Sequence, residues 1–198
     1  MKEILILYYS HSGATQKLAH LIARGVESVK GVTARIRTVP KVSTTCEQVE
    51  PSIPDSGVPY VTIDDLLECS GIAMGSPVRF GNMAASLKYF WDGTTDIWLS
   101  GALVNKPASL FTSSSSMHGG QEACLLSMMI PLLHHGMIIV GLPYTETELM
   151  NTNSGGTPYG VSHYSGIDNN INISDAEKQL ALAQGKRLAE IALKLSGN

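Results

Sequence analysis

Charged residues are scarce in this chain. They make up 16% of its 198 residues, and the formal net charge is −3. Proteins that bind nucleic acid or an anionic membrane surface by charge carry an excess of basic residues, which this composition does not provide. No apolar run reaches the roughly 18 residues that a membrane-spanning helix needs. We therefore expect neither nucleic acid nor a membrane among its partners.

Cysteine is also rare. Cys46, Cys69 and Cys124 are odd in number and widely spaced, and they form no C-x-x-C pair. This pattern is typical of a reducing compartment rather than of a disulfide framework. No secretory signal pattern precedes the first apolar run. We expect a cytoplasmic protein.

The two commonest phosphate-binding loops are missing. No G-x-x-x-x-G-K-[ST] pattern occurs, since Gly101 to Lys106 leads into Pro107 without the upstream glycines. No G-x-G-x-x-G follows the first apolar run either. These absences argue against a P-loop NTPase and against a dinucleotide-binding Rossmann site at this position.

The clearest positive signal lies near the N-terminus. Residues 4–9 form an apolar run that predicts a buried strand, and a hydroxyl-rich turn with one glycine follows at once. The turn consists of Ser10, His11, Ser12, Gly13, Ala14 and Thr15. An amphipathic helix is then predicted from the stripe Leu18, Leu21, Ile22, Val26 and Val29. Strand, turn and helix form half of a nucleotide-binding βαβ unit.

The turn places hydroxyls beside the free N–H groups of a helix start, where the backbone dipole favours an anion. It contains no lysine or arginine, so a phosphate would be held by neutral donors. A second interpretation stays open, in which Ser10 or Ser12 simply caps the helix.

The rest of the chain continues the alternation of strand and helix, which predicts a doubly wound parallel sheet. Further strands are predicted at residues 32–39, 70–75, 107–112 and 137–140. Helices are predicted at residues 62–68, 84–91 and 121–134, the last kinked or interrupted near Pro131. A final helix begins at Ser174, where Glu177 completes a capping box. Residues 40–59 and 141–173 lack helical periodicity and are predicted to be loops.

Two segments carry a resemblance to a known family. Residues 10–15 fill every position of the [ST]-x-[ST]-G-x-[ST] loop that binds the FMN phosphate in flavodoxins. Residues 75–83 (GSPVRFGNM) resemble the G-[ST]-P-[TV]-R-[FY]-G-N-M loop of the WrbA family, which are flavodoxin-like NAD(P)H:quinone oxidoreductases. Further matches run in family order at residues 8–10, Trp98 with residues 100–103, 119–122, 134–137 and 155–160.

The resemblance implies one flavodoxin-like domain over residues 1–198. Its five-stranded parallel sheet would have the order 2-1-3-4-5 within three α/β/α layers, with loop insertions at about residues 40–60 and 141–173. The switch point lies between the first and third strands, so three loops at the carboxyl ends of strands should converge.

The resemblance also assigns FMN-binding residues to these loops. They are Ser10, His11, Ser12, Gly13, Ala14, Thr15, Pro77, Val78, Arg79, Phe80, Gly81, Asn82, Ser113, Ser114, Ser115, Ser116, Met117, His118, Gly119 and His134. Arg79 would place a positive charge beside the reduced flavin, or it is only a solvated loop charge. Met117 and His118 stand where the family has small residues, Ser12 where many members have a bulky one, and Val78 where threonine is frequent.

The substrate site is assigned to Trp98, as an apolar wall for a quinone, and to Ser12. His134 rather than His135 would face the flavin and act as the catalytic acid, and no metal site is expected because adjacent histidines lack ligand spacing.

The implied activity is two-electron reduction of quinones to quinols by ping-pong hydride transfer from NADH or NADPH through FMN. The implied assembly is a homotetramer with active sites lined by more than one subunit. Two alternatives stay open: a flavodoxin-type one-electron carrier, and an FMN-binding regulatory protein without significant catalysis.

Overall fold

The computed structural model describes residues 1–43, 54 and 57–197. In this part of the chain the strands are β1 (Lys2–Tyr8), β2 (Val32–Thr38), β3 (Gly71–Pro77), β4 (Pro107–Ser114), β5 (Ile138–Ile139) and β6 (Val161–Tyr164). The helices are α1 (Ala14–Glu27), α2 (Ile63–Glu68), α3 (Ala85–Asp92), α4 (Thr95–Ser100), α5 (Gln121–His134), α6 (Glu148–Asn151) and α7 (Asp175–Leu195). Cys46 and most of the predicted 40–59 loop lie outside the described residues. None of the described helices has the length and apolarity needed to cross a membrane.

The sheet is parallel and has the predicted order β2-β1-β3-β4-β5. The prediction of five strands is wrong, because β6 also pairs with β4. Strand β5 pairs with the start of β4, Ala108 opposite Ile139, and β6 pairs with its end, Phe111 opposite Val161. The fifth position of the sheet is therefore divided between two short strands, with residues 140–160 inserted between them.

Strand β6 also corrects the prediction of a plain loop over residues 141–173, as does the single-turn helix α6. The strand contains Ser162 and His163, so it lacks the apolar run by which a buried strand is recognised. Both side chains are nevertheless buried, because polar partners within the protein satisfy them.

The sheet separates two hydrophobic cores, as the side-chain alternation of a strand requires. Ile4 and Ile6 of β1 pack in the core that contains residues of α1 and α7. Leu5 and Leu7 pack in the opposite core, with residues of α2, α3 and α5. Helices thus cover both faces, which gives the predicted three-layer arrangement.

Helices α1 and α7 cross at two glycines. A Cβ at Gly25 would lie 2.1 Å from the Leu182 carbonyl oxygen, and one at Gly185 would lie 2.0 Å from that of Ile22. Only glycine permits backbones to approach this closely. The crossing therefore fixes α1 against α7, and α1 begins at the predicted phosphate turn.

The helix boundaries follow the sequence signals in most places. Helix α7 begins with the predicted capping box between Ser174 and Glu177. Helix α5 runs without a break through Pro131, so the expected interruption there is wrong. A proline nitrogen removes one hydrogen bond of the helix, and the packing of Met128 and Leu132 in the core maintains the helix across it.

Candidate functional site

The loops that follow β1, β3 and β4 meet at one cavity of about 310 Å³. Its predicted lining residues are His11, Ser12, Pro77, Val78, Arg79, Phe80, Ser113, Ser114, Ser115, Ser116 and Gly119. We call this space the flavin-loop cavity. Other predicted residues lie in the same loops or in the first turn of α1 and are not among the described lining residues: Ser10, Gly13, Ala14, Thr15, Gly81, Asn82, Met117 and His118.

The first loop leaves the start of α1 open. Gly13 is the N-cap residue, with φ of 90°, and no side chain caps the helix. The hydroxyl of Ser10 instead accepts a hydrogen bond of 3.1 Å from the Gly13 N–H. Neither Ser10 nor Ser12 therefore caps the helix, so that interpretation of the turn is wrong. The free N–H groups and dipole of α1 remain available to an anion.

A buried pair of hydroxyls joins the first loop to the end of β4. The Oγ1 of Thr15 lies 2.8 Å from the Oγ of Ser113, and both residues are buried. One hydroxyl donates to the other, so the pair keeps one further proton for another acceptor. This contact fixes the spacing between the phosphate turn and the serines of the third loop.

Hydrogen bonds of backbone groups hold the second loop in place. The buried Ser76 hydroxyl accepts a hydrogen bond of 2.8 Å from the Ala84 N–H, and Arg79 and Asn82 exchange two backbone hydrogen bonds. At the tip, Phe80 has a φ of 53° and its side chain is fully exposed. A bulky residue seldom adopts this conformation, and such strain is concentrated at binding sites. The loop therefore presents an aromatic ring to whatever binds there.

The third loop ends at the start of α5. Gln121 donates a hydrogen bond of 2.9 Å from Nε2 to the Ser116 carbonyl, while its buried Oε1 has no hydrogen-bond partner in the described part of the chain. The N-cap of α5 is Gly120, again without a side-chain cap. A Cβ at Gly120 would lie 3.2 Å from the Gly81 Cα, so this glycine allows the second and third loops to pack together.

Three lining residues were not anticipated from the sequence. Ser165, Ile167 and Asn169 follow β6 and close the flavin-loop cavity on one side. The N–H and hydroxyl of Ser165 both donate to the Ser114 carbonyl, over 2.8 and 3.0 Å. No motif identifies these residues, because they are placed by the unpredicted pairing of β6 with β4.

Glu177 anchors this inserted segment to α7. Its Oε1 accepts hydrogen bonds from the N–H groups of Gly155 (2.8 Å) and Tyr164 (3.2 Å). Its Oε2 accepts one from the Ser174 N–H (2.8 Å) and lies 2.9 Å from Nδ1 of His163. Burial by itself would raise the pKa of Glu177, but the contact with His163 and the backbone donors hold it below its usual value.

His134 and Trp98 do not reach the flavin-loop cavity. Both line a second cavity of about 420 Å³, and none of its described lining residues also lines the first. We call it the tryptophan cavity. Within the described part of one chain, the predicted catalytic acid and the predicted flavin loops are therefore apart.

The two adjacent histidines have different environments. His134 is exposed, whereas His135 is buried and its Nε2 lies 3.0 Å from the Thr94 hydroxyl. Thr94 donates its own proton to the Trp91 carbonyl, so Nε2 of His135 must carry the proton and Nδ1 is the lone-pair nitrogen. That Nδ1 has no hydrogen-bond partner among the described residues, and burial, followed by the nearby His134, lowers the pKa of His135. Both observations favour the neutral imidazole form of His135.

Comparison with known proteins identifies the family. Residues 3–146 match the family model described as NADPH-dependent FMN reductase. The chain belongs to this family. It is also 41% identical to the NAD(P)H dehydrogenase (quinone) of Syntrophobacter fumaroxidans (strain DSM 10017 / MPOB), over 99% of this chain and 100% of that protein.

Solved structures confirm the fold of this member of the FMN reductase family. A flavodoxin, WrbA-like protein from Agrobacterium tumefaciens has a TM-score of 0.68 at 20% identity, and the match covers 98% of this chain and 99% of that chain. A flavodoxin from the domain Archaea has a TM-score of 0.63 at 20% identity, covering 96% and 99%. The expected flavodoxin-like fold and the resemblance to WrbA-like quinone oxidoreductases are both confirmed.

Proposed function

We propose that this chain is an FMN-dependent NAD(P)H:quinone oxidoreductase, which reduces quinones to quinols by two electrons. The observation that carries the proposal is the flavin-loop cavity, where an uncapped helix start meets an exposed aromatic ring. The family of the chain and its 41% identity to an NAD(P)H dehydrogenase (quinone) support the same activity.

The donors around the cavity suit FMN. A phosphate at the start of α1 would accept hydrogen bonds from the N–H groups of its first turn and from the hydroxyls of Ser10 and Ser12. The Thr15–Ser113 pair offers one more proton. The serines of the third loop supply further hydroxyls and N–H groups. The Oε1 of Gln121, whose Nε2 bonds to the Ser116 carbonyl, is an acceptor that the described residues leave free. We assign the FMN phosphate to α1 and its ring to the second and third loops.

Bound FMN would supply two-electron redox chemistry between a nicotinamide and a quinone. Phe80 would cover part of the ring and exclude water from it. The guanidinium of Arg79 donates to the Val78 carbonyl over 3.0 Å and thus remains close to the loop backbone. In this position its charge would stabilise negative charge on the reduced cofactor.

We also propose that neighbouring subunits complete the active site in a homotetramer. The half-exposed Trp98 and the exposed His134 lie in the tryptophan cavity, away from the flavin loops of the same chain. A neighbour's tryptophan cavity, facing the flavin loops, would supply an apolar wall and a proton donor for the quinone. Light scattering on the FMN-loaded protein tests this assembly, since a species near 21 kDa, the mass of one chain, would contradict it. The cytoplasmic location stays a prediction.

The activity is tested by following the flavin absorbance of the FMN-loaded protein under argon. Addition of NADPH or NADH should bleach the band within seconds, and a following addition of benzoquinone should restore it. Bleaching by dithionite alone, with a stable one-electron-reduced flavin, would instead indicate an electron carrier. Retention of FMN with no nucleotide or quinone reaction would indicate a regulatory protein.

Phe80→Ala provides a site-specific arm of this test, with Tyr89→Ala as its matched control. Both side chains are highly exposed aromatics, but only Phe80 lines the flavin-loop cavity. Phe80→Ala should weaken FMN binding and slow turnover, whereas Tyr89→Ala should leave FMN binding as in the parent.

A further inference from the structure

A third cavity, of about 720 Å³, adjoins the flavin-loop cavity. His11 and Arg79 line both cavities, so a molecule with one end at the flavin loops can extend into this space. We call it the basic cavity, since its lining also includes Lys41 and Lys88.

The charge of the basic cavity differs from that of the whole protein. The chain has 17 acidic and 14 basic residues, yet none of the described lining residues is acidic. Lys88 pairs with Asp92 one turn along α3, and Asp92 itself lines the tryptophan cavity. Among the described residues, Lys41 and Arg79 form no ion pair. Within the described part of the chain, the cavity therefore holds two positive charges without an acidic partner, which favours an anionic ligand.

Lys41 is held beside the cavity by its neighbour in the chain. The Val42 N–H donates a hydrogen bond of 3.1 Å to the Oγ of Ser86, a buried residue of α3. This bond ties the segment after β2 to the first turn of α3. The exposed Lys41 ammonium thus extends from a fixed backbone position.

We infer that the basic cavity binds the adenosine end of the dinucleotide, and that Lys41 selects NADPH over NADH through the 2′-phosphate. The inference rests on the proposed function. A nicotinamide at the flavin loops is followed by the pyrophosphate, which both nucleotides share and which would meet His11 and Arg79. Lys41 and Lys88 line the basic cavity but are not among the described lining residues of the flavin-loop cavity, so they lie farther along the dinucleotide. That is the position of the 2′-phosphate, the group that NADPH has and NADH lacks.

Kinetics of the FMN-loaded enzyme test the role of Lys41. The parent should have a higher kcat/KM for NADPH than for NADH. Lys41→Gln should lower the value for NADPH about three- to tenfold more than the value for NADH, the range expected for one exposed charge on a phosphate. Lys178→Gln is the matched control, because Lys178 is an exposed lysine of α7 that is not among the described lining residues of the cavity. It should leave the ratio of the two values unchanged.

A direct binding measurement uses adenosine 2′,5′-bisphosphate, 5′-AMP and inorganic phosphate as probes in calorimetry. The bisphosphate should bind more tightly than 5′-AMP, the difference should shrink as salt rises, and Lys41→Gln should remove most of it. The inference is overturned if adenosine 2′,5′-bisphosphate and 5′-AMP bind with equal affinity. It is also overturned if inorganic phosphate competes for the site as strongly as the bisphosphate does.

The two proposals fail in distinguishable ways. If NADPH and NADH reduce the flavin equally well in both the parent and Lys41→Gln, the inference on Lys41 is wrong and the quinone reductase activity stands. If neither nucleotide reduces the flavin, the proposed function itself is wrong.

Discussion

Glu177→Gln should destabilise the protein and loosen the wall of the flavin-loop cavity. Glu177 is 1% exposed, and its two oxygens face the donors of Gly155, Tyr164, Ser174 and His163. The substitution keeps the shape of the side chain but replaces one acceptor oxygen by an NH₂ group. The inserted segment that carries β6 then loses part of its anchor on α7.

The hydrogen-bond geometry around Glu177 determines how much stability the substitution removes. With the new NH₂ group at the Oε1 position, the N–H groups of both Gly155 and Tyr164 lose their acceptor. With the NH₂ at the Oε2 position, His163 can accept through its other tautomer, but the Ser174 N–H is left without a partner. The better arrangement still leaves one half-buried donor, the Ser174 N–H, unsatisfied at about 1–3 kcal/mol, and it has weaker neutral hydrogen bonds elsewhere. We expect a total loss of about 2–4 kcal/mol in the free energy of unfolding.

Urea denaturation followed by circular dichroism measures this loss, with Glu190→Gln as control, since Glu190 is an exposed residue of the same helix. Acid titration gives a second reading. Because the fold lowers the pKa of Glu177, its stabilisation is complete above the ordinary glutamate pKa and is lost as the pH falls below it. The parent should therefore lose more stability than Glu177→Gln between neutral pH and pH about 3. A variant within about 0.5 kcal/mol of the control at neutral pH would refute the anchoring role.

Three further predictions concern packing, thiols and the flavin loop. Gly25→Ala should lower the free energy of unfolding in urea by about 1–3 kcal/mol, because the added Cβ meets the Leu182 backbone. An unchanged free energy of unfolding would contradict the close crossing of α1 and α7. In a Cys46→Ser background, Cys69 and Cys124 should react with a thiol reagent only after unfolding, since burial raises the pKa of each thiol to about 11; rapid native labelling would disprove this. Phe80→Ala without FMN should match the parent melting temperature, as the ring is fully exposed, and a clear drop would show that the ring supports the fold.

The sequence predicted those parts of the fold that local patterns determine. The helix start at Ser174 and the glycine turn before α1 have signals within a few residues, whereas the strand order followed from the family resemblance. Strand β6 has no such signal, because its burial depends on polar partners that come together only in the fold. Its pairing with β4 determines where Ser165 and Asn169 lie, so these lining residues were missed as well.

The candidate site also has parts that the sequence predicted and parts that it did not. Motif spacing located the three loops, since the carboxyl ends of neighbouring parallel strands must lie together. Spacing does not determine which of two adjacent histidines is buried, and the structure places His135 inside and His134 on the surface. The basic cavity was also unforeseen, because Lys41 and Arg79 are far apart in the chain and the overall charge is negative.

The central claim is that the start of α1 binds the phosphate of FMN through N–H groups and hydroxyls. Calorimetric titration of the cofactor-free protein with FMN and with riboflavin, which lacks only the phosphate, tests it most directly. We predict that FMN binds at least about tenfold more tightly, equivalent to about 1.4 kcal/mol. Equal affinities for the two flavins would contradict the account.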